Sequence, residues 1–364
     1  MPPLMLFWYL LSRMIVTIVM LYGALAALIF IADFVENLRF AGKYADGSFV
    51  FALQITALRT PGLAQLLTPF IFLFSGLWLF AQLNRRSELS VMRSAGLSIW
   101  KLIAPPAMFA AFVGVILIVF VDPAATTMTA FSERMKNDIR GKSTSLVQIF
   151  GDGIWLRQRD GDTTLLINAD SLNQADAMLS NITVWRLTAD SQFVERIDAP
   201  SARLVDRTLE LQNASVKTPN SKIPRKAPIY LIPTNLSVED FSEGTPLPET
   251  MSLWDLPRYI RIAEAAGLPT VRYNLRFHDL CSTPLKLVAM VMIAAIFSLK
   301  PVRSGGAFKL IIAAVAVGFG MYFVSEVAAA LGESGAAPPM MAAWAPGVIG
   351  LIIAVTGLLH LEEG

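Results

Sequence analysis

Four charged residues with helical spacing follow the first apolar run of the chain: Asp33, Glu36, Arg39 and Lys43. Steps of three, three and four residues place them on one helix face about 120° wide. The two cations could pair with lipid phosphates, and a divalent cation could bridge a lipid to Asp33 or Glu36. The pattern predicts a cavity wall that binds lipid headgroups, and a solvated interfacial stripe is the alternative interpretation.

A second group of residues suited to chemistry lies between the second and third apolar runs. The segment Asn84–Gly96 predicts a short amphipathic helix, which Ser87 or Asn84 can cap at its start and which Gly96 can end. An acidic residue in the first turn, Glu88, favours the same start because it complements the helix dipole.

This short helix has two possible uses. Leu89, Met92 and Ala95 recur on one face, which suits either a helix lying on the lipid surface or a coupling helix that docks in a groove of a cytoplasmic ATPase. A helix on the membrane surface more often carries only Lys and Arg on its polar face, so an acidic residue favours docking. The expected ATPase-coupling residues are Glu88, Leu89, Met92, Arg93 and Gly96.

The chain offers little for catalysis, metal binding or nucleotide binding. Its two histidines, His278 and His360, cannot form a multi-histidine metal site, and the single cysteine, Cys281, cannot form an intrachain disulfide. The segment Arg140–Ser143 resembles the end of a P-loop, but Lys136 stands where that motif begins with glycine. A net charge of +2 is too small to indicate a nucleic-acid partner. We therefore expect no catalytic residue, metal or cofactor in this chain, so energy has to come from a partner.

The composition is that of a polytopic α-helical membrane protein. Hydrophobic residues make up 54% of the chain and charged residues 16%, whereas soluble proteins carry about 25% charge. Six runs are long enough to cross ~30 Å of hydrocarbon, three before and three after one long polar stretch. These predicted transmembrane helices are 12–36, 60–82, 101–121, 280–299, 307–331 and 341–359. Lys286 and Glu326 fall inside two of them, where they could pair with each other or line a lipid path.

The short loops predict the orientation. Basic residues concentrate in the loops after the second and fourth runs: Arg85, Arg86, Arg93, Lys101, Lys300, Arg303 and Lys309. The loop after the fifth run, 332–339, holds one acidic residue and no basic one. The positive-inside rule therefore predicts that both termini are cytoplasmic and that the polar stretch lies outside.

The polar stretch predicts an all-β domain. Short β-prone runs recur every 8–15 residues between 146 and 241, which is typical of a sandwich or jelly roll. The runs are 154–157, 164–167, 182–187, 193–197, 203–205 and 208–211, separated by turn signals at Asp160-Gly161, Asp190-Ser191 and Asp206-Arg207. A helix with Ser252 as its cap and Asp255 at the third position follows, to about 266.

The resulting domain assignment has three parts. Residues 1–122 hold transmembrane helices one to three with a coupling helix at about 84–96, residues 123–277 form an inserted jelly-roll-like periplasmic domain with a flanking helix, and residues 278–364 hold transmembrane helices four to six.

The short-helix segment Ser87–Gly96 resembles the cytoplasmic loop of the LptF/LptG permease family of the lipopolysaccharide export ABC transporter. The segment Ile31–Leu38 resembles the exit of that family's first span, and the arrangement of spans matches along nearly the whole chain. The first-span motif together with Lys300–Arg303 favours the LptG member over LptF.

The resemblance implies a non-catalytic permease subunit in the inner membrane of a Gram-negative bacterium. Such a subunit pairs with a second, LptF-like permease, binds an LptB-like ATPase dimer that holds the ATP, and extracts lipopolysaccharide. The lipid then passes to LptC/LptA-like bridge proteins towards the outer membrane, and an apolar jelly-roll interior can shelter its acyl chains.

In relatives, basic residues lie where the first transmembrane helix ends. This chain has Asp33 and Phe40 there, so Arg39 and Lys43 are its candidates for pairing with phosphate. The alternatives are the paired LptF-type permease, a secondary transporter that uses membrane-embedded ionisable groups, and a mechanotransmitting membrane protein with a periplasmic domain.

Overall fold

The computed structural model describes most of the chain, namely residues 3–44, 48–139, 146–150, 153–160, 163–173, 178–188, 192–205, 208–219, 221, 224–234, 247–265, 268–299 and 307–363. The segments Arg140–Ser143 and Lys300–Arg303 lie outside the described residues, as do all or part of the three predicted turn dipeptides. The chain divides into two units, Met1–Ser132 with Val271–Gly364, and Glu133–Thr270.

The first unit is built from helices of very different lengths. Before the insertion they are α1 (Pro3–Tyr44), α2 (Phe49–Leu66), α3 (Thr68–Arg85), α4 (Glu88–Ser94) and α5 (Ile99–Ile116), a π turn at Leu117–Val121, and α6 (Asp122–Ile139), which belongs to the second unit from Glu133 onwards. After it they are α8 (Val271–Ser298), α9 (Ala307–Glu333) and α10 (Pro339–Glu363).

Among the described residues, five helices are long and apolar enough to cross a membrane, and the bent pair α2 and α3 would make a sixth span. The prediction of one unbroken span at 60–82 is wrong, because the two helices meet at 59° around Leu67. Pro69 stands in the first turn of α3, and a proline lacks the N–H that would continue the preceding helix. Another difference is α1, whose 42 residues extend over about 63 Å, roughly twice the hydrocarbon thickness.

Helix α8 is the central helix of this unit, since it packs against α3, α5, α9 and α10. Small residues allow the close approach. A Cβ at Gly114 would lie 2.6 Å from the Cα of Pro284, and one at Gly76 would lie 2.8 Å from the Cβ of Ala294. Close helix packing through glycine is typical of membrane interiors, where association depends on van der Waals contact rather than on the hydrophobic effect.

The described residues of the second unit form one antiparallel sheet of eight strands. They are β1 (Leu146–Phe150), β2 (Gly153–Asp160), β3 (Thr163–Ala169), β4 (Ser171–Asn173), β5 (Met178–Thr188), β6 (Phe193–Val205), β7 (Thr208–Lys217) and β8 (Arg225–Pro233). The order is β1-β2-β3-β5-β6-β7-β8, with β4 also paired to β5. Within the described residues consecutive strands are neighbours except at β4, since β3 pairs with β5, whereas a jelly roll consists of two Greek keys. The predicted strands 193–197 and 203–205 are parts of one strand, β6.

One face of the sheet forms the core of this unit. Alternate residues of β3 and β5 to β7 are buried there, as the period of two requires: Leu165, Ile167, Val184, Ile197, Leu209, Leu211 and Val216. A helix after the sheet, α7 (Leu256–Ala265), contributes Ala263 to this core, and Leu268 follows. The Ser252 hydroxyl lies 2.6 Å from Oδ2 of Asp255. The helix begins only at Leu256, so Asp255 precedes it instead of occupying the predicted third position.

The sheet is strongly curled. Ile197 pairs with Val216, and Val216 with Arg225, so these three residues are level across the sheet. Glu195 lies two residues before this level and Tyr230 five residues beyond it. The register therefore separates them by seven residues, or about 23 Å, along the strands. The Tyr230 hydroxyl nevertheless donates a hydrogen bond to Glu195 over 3.2 Å. The buried face must therefore be concave enough for β8 to approach the start of β6 across it.

Candidate functional site

The predicted coupling helix is shorter than expected and starts differently. It covers Glu88–Ser94, and Ser87 before it has a left-handed backbone (φ 57°) with no side-chain capping bond. Asn84, the other predicted cap, instead donates to the backbone carbonyl of Ser298 on α8 over 3.1 Å. Capping by either side chain is therefore wrong. Gly96 has a φ of 82°, which glycine adopts without strain and which ends the helix as predicted.

The apolar face of α4 faces this chain's own core. Leu89 is buried among core residues of the helical unit, and Met92 packs against the same cluster. Val91 is 65% exposed, and Arg93 and Ala95 are exposed as well. The surface that α4 offers to a partner is therefore the one with Val91 and Arg93, and Leu89 serves as its anchor.

Glu88 has partners within the chain. The Tyr9 hydroxyl on α1 donates to its Oε2 over 2.6 Å, and Nη1 of Arg13 lies 3.5 Å from the same oxygen. The Arg13 guanidinium also stacks on the Tyr9 ring, 4.2 Å from its centroid. Arg86 lies 4.0 Å from the other carboxylate oxygen. These contacts tie α4 to the beginning of α1, while the ATPase-coupling role of the five predicted residues remains a prediction.

The charged stripe on α1 separates into two environments. Asp33 is buried, and its carboxylate accepts hydrogen bonds from Arg59 Nη1 (2.9 Å) and Asn37 Nδ2 (2.7 Å). Asn37 Nδ2 is also 3.0 Å from the Thr56 hydroxyl on α2. Arg59 on α2 compensates the charge of Asp33, and the lipid-binding role predicted for Asp33 remains a prediction.

The other three members of the stripe remain available. Glu36, Arg39 and Lys43 are exposed, and the Lys43 ammonium lies 5.1 Å from the centroid of the neighbouring Tyr44 ring. Sequence reasoning missed Arg59, although a single basic residue within an apolar stretch indicates a buried partner.

Two further ionisable positions were predicted to pair or to line a lipid path. Lys286 is hydrogen-bonded to Asp279, two turns earlier on α8, and Glu326 on α9 is exposed and hydrogen-bonded to Tyr322. The pairing of Lys286 with Glu326 is therefore wrong.

A buried ion pair that sequence reasoning missed joins α6 to α8. Asp122 is 1% exposed, and its Oδ1 lies 2.9 Å from Nη2 of Arg276. Asp122 immediately follows the π turn, and the Thr126 hydroxyl donates back to its carbonyl over 2.9 Å. The pair fixes these helices at the places where the chain leaves and re-enters the helical unit.

Polar groups lie at one end of the concave β face. Nη1 of Arg186 lies 2.7 Å from Oε1 of Glu195, which also accepts the Tyr230 hydroxyl bond. Burial and the adjacent Glu195 charge raise the pKa of Tyr230. The concave face is therefore apolar for most of its length and closed at this end by a neutralised ion pair.

The opposite face of the sheet carries an aromatic pair. Trp155 and Trp185 stack with centroids 5.4 Å apart, and the Arg196 guanidinium lies 5.5 Å from the Trp185 centroid. Asp198 on the same face accepts from Arg196 (2.8 Å) and Lys217 (3.2 Å). Among the described residues no group of three or more His, Cys, Asp or Glu side chains could hold a metal ion.

Comparison with known proteins identifies the family of this chain. A sequence model of the family "Lipopolysaccharide export system permease LptF/LptG" matches residues 8–360. The permease protein LptG of Escherichia coli K12 is 24% identical over 358 residues, covering 94% of this chain and 95% of the relative. The LptG of Haemophilus influenzae Rd is 25% identical over 305 residues, covering 82% of each. The chain therefore belongs to the LptF/LptG family of lipopolysaccharide export permeases.

Proposed function

We propose that this chain is the LptG-type transmembrane subunit of an ABC transporter that extracts lipopolysaccharide from the inner membrane and passes it to a periplasmic bridge. The observation that carries the proposal is the family match over residues 8–360, in a chain whose β unit is inserted between two groups of apolar helices. ATP is hydrolysed by a partner dimer, and a second permease of the same family completes the membrane part.

The structure supports α4 as the element that receives force from the ATPase. Leu89 is held in the helical core, and Glu88 is bound by Tyr9, so a displacement of α4 moves α1 with it. Val91 and Arg93 are exposed beside these anchors. A helix that is packed on one face and exposed on the other can transmit a displacement from a partner and stay attached to the helical unit.

The lipid path in this proposal follows charge and apolar surface. Arg39 and Lys43 are exposed cations at the end of α1, and guanidinium and ammonium groups bind phosphate. In this proposal the acyl chains enter the interior of the β unit, whose buried lining is aliphatic. In this orientation both termini are cytoplasmic, and the β unit is periplasmic.

Co-purification tests the proposal. A tagged chain is extracted in mild detergent from its native host, and the proteins that accompany it are identified. We expect an ATPase subunit and a second permease of this family in stoichiometric amounts, and lipopolysaccharide in the lipid extract. A chain that purifies alone, transports in proteoliposomes without ATP, or brings no ATPase contradicts the proposal.

A matched pair of variants localises the docking surface. Val91→Asp places a charge on the exposed face of α4, and Val50→Asp does the same on an equally exposed position of α2, 60% exposed against 65%. We expect only the first to release the ATPase. Release by both variants or by neither would contradict docking at α4.

A further inference from the structure

The sheet of the β unit is interrupted at one level across its neighbouring strands. Buried residues normally recur at every second position along a strand, but β5, β6 and β7 each contain one step of three. The step runs from Leu179 to Ile182 in β5, from Ala199 to Ala202 in β6 and from Leu211 to Ala214 in β7. Each of these strands therefore holds one additional residue between two stretches that face the same core.

The additional residues lie side by side, because the register passes over the same level in each pair of these described strands. Asn181 lies opposite Pro200, Pro200 opposite Asn213, and Asn213 opposite Pro228. On the other side of Asn181 is Asp170, which separates β3 from β4, and Nδ2 of Asn181 lies 2.8 Å from its Oδ2. These five residues form a row across the sheet that we call the crease.

The backbone at the crease is suited to bending. Pro200 and Pro228 have no N–H, so they cannot donate to the strand ladder. Asn181 and Asn213 have left-handed backbones, with φ of 48° and 53°, and asparagine adopts this conformation more readily than most residues with a Cβ. Bulged residues bend a strand and disrupt its pairing. A hinge needs residues that absorb a change in φ and ψ, and each strand from β5 to β8 supplies one at the same level.

A polar contact joins the two sides of the crease. Strands β6 and β8 run in the same direction, since both are antiparallel to β7. Glu195 precedes the crease on β6, whereas Tyr230 follows it on β8. The Tyr230 hydroxyl donates to Oε1 of Glu195 over 3.2 Å, and Nη1 of Arg186 lies 2.7 Å from the same oxygen. The hydrogen bond between Tyr230 and Glu195 therefore acts as a latch across the crease, and Arg186 neutralises the carboxylate that accepts it.

Aliphatic side chains from both sides of the crease meet in the interior. Ile197 and Val216 are buried on the side of Glu195, and Leu209 and Leu211 are buried on the side of Tyr230. Opening at the crease would separate the two groups and expose aliphatic surface, which is unfavourable in water. An acyl chain between them would remove this penalty because it is itself apolar.

We propose that the sheet opens along the crease to admit an acyl chain, and that the latch between Tyr230 and Glu195 controls this opening. The proposal rests on the proposed function for the identity of the lipid, whereas the movement depends only on residues of the β unit. In the closed form the latch holds the two sides together. In the open form the latch is broken, and the acyl chain takes the place of the apolar contacts.

Distances between pairs of spin labels test this proposal, measured by pulsed electron paramagnetic resonance on the purified full chain in nanodiscs. Val194→Cys with Leu231→Cys, in a Cys281→Ser background, places the labels on exposed neighbours of the two latch residues. Val194→Cys with Lys226→Cys is the control pair, because both positions are exposed on the same side of the crease.

Three substitutions are compared in both labelled pairs. Tyr230→Phe removes only the latch hydroxyl and keeps the ring. Glu195→Gln keeps the shape of the acceptor but removes the charge that strengthens the bond. The matched control is Tyr322→Phe, which also removes a tyrosine hydroxyl bonded to a glutamate, Glu326, but in the helical unit.

We expect Tyr230→Phe to raise the ratio of open to closed molecules roughly tenfold, seen as a second, longer distance between positions 194 and 231. Glu195→Gln should shift this distance in the same direction. The distance between positions 194 and 226 should remain unchanged in all variants, and Tyr322→Phe should change neither distance. Unchanged distances in both latch variants overturn the proposal. Longer distances in both labelled pairs overturn it too, because the sheet would then loosen as a whole.

A fatty acid that carries a photoactivated diazirine group tests access to the interior. We expect it to attach to peptides of the β unit several-fold more in Tyr230→Phe than in the unsubstituted chain, with attachment to the helical unit as the internal reference. Opening without increased attachment overturns the admission of acyl chains. None of these readouts requires ATP, partner subunits or lipopolysaccharide, so their failure is distinguishable from a failure of the co-purification experiment.

Discussion

Asp33 and Glu36 are less than one turn apart on α1, yet one is buried beside Arg59 and the other is exposed. The substitution Asp33→Lys would place two cations side by side in a buried site. Removing one partner of a buried pair costs about 3–5 kcal/mol, and a like charge adds to this. We expect a clear loss of thermal stability in detergent.

The control for Asp33→Lys is Glu36→Lys on the exposed side of the same helix. A surface substitution of this kind changes stability by about 0.5 kcal/mol or less. Equal melting temperatures for the two variants would mean that the Asp33–Arg59 pair contributes nothing. The family resemblance alone implies that Asp33→Lys is tolerated, because a lysine there would restore the basic residue of the relatives.

The exposed pair Arg39 and Lys43 supports a different prediction. Charge-assisted bonds to phosphate contribute roughly 1.5–3 kcal/mol when partly desolvated. Reversing both residues to Glu should therefore reduce lipid loading at least tenfold, measured as lipopolysaccharide bound per purified complex. Basal ATP hydrolysis should not change, since the proposed transporter hydrolyses ATP on a separate subunit.

Neutral variants of the same residues complete that experiment. Arg39→Gln with Lys43→Gln should show an intermediate loss, because attraction disappears without repulsion replacing it. Normal export by the double reversal would identify the exposed part of the stripe as a solvated face.

At the scale of elements, glycine contacts set how closely the helices of the membrane unit pack. A methyl group at Gly114 would lie 2.6 Å from the Cα of Pro284, whereas one at Gly23 meets nothing within 4 Å. We expect Gly114→Ala to destabilise the unit by about 1–3 kcal/mol through overpacking. Gly23→Ala should be neutral or stabilising because alanine favours helix. Thermal unfolding of both variants in the same detergent measures the difference.

The sheet supports a prediction about pH. Burial raises the pKa of Asp198, but hydrogen bonds from Arg196, Lys217 and Thr183 lower it more, so the net direction is downward. A carboxylate with a depressed folded-state pKa stabilises the fold above its unfolded pKa, about 3.9. That contribution disappears as the pH falls through the lower folded value. The protection factors of the β6 and β7 amides, which correct for the intrinsic pH dependence of hydrogen exchange, should therefore fall below about pH 4.

The matched variant for this effect is Asp198→Asn. It keeps the side-chain shape but cannot titrate, so its exchange rates at pH 6 should already be faster and should depend less on acid. If protection from hydrogen exchange decreases in the same way below about pH 4 in both proteins, the effect belongs to other carboxylates.

Elements differ in how well the sequence predicts them. Short β-prone runs separated by turn signals predicted the segments of β2, β3, β5 and β7. Strand β8 has Pro228 and Pro233 and an exposed Ile229, so neither alternation nor propensity marks it, and it pairs only with β7 among the described strands. The break at Leu67 could have been suspected from Pro61 and Pro69, but hydropathy averaged over a window does not register a bend.

At the scale of the whole molecule, family and general layout were predictable, and the partners of individual side chains were not. Hydropathy and the short-loop charges depend only on composition along the chain. The contacts of Glu88 with Tyr9 and of Asp122 with Arg276 join residues 79 and 154 positions apart. No local pattern encodes such pairs.

The contact between α1 and α4 allows a prediction about coupling. Glu88→Ala removes both the carboxylate bound by Tyr9 and the group expected to meet the ATPase. Tyr9→Phe removes only the hydroxyl. We expect Glu88→Ala to lower lipid-stimulated ATP hydrolysis of the assembled transporter severalfold, and Tyr9→Phe to leave assembly intact while reducing stimulation less. Full stimulation in the Glu88→Ala complex would rule out this residue as a coupling contact.

The π turn at Leu117–Val121 affects everything that follows it on the same helix. Such a turn contains one residue more than an α-helical turn, so it advances the angular phase of the downstream helix by about 100°. Asp122 is the first residue after it, and its orientation towards Arg276 depends on that phase. Deleting a single residue within the turn would regularise the helix and at the same time rotate the carboxylate away from its partner. The π turn thus sets the angle at which α6 faces α8, and the ion pair between Asp122 and Arg276 depends on this local irregularity of the helix.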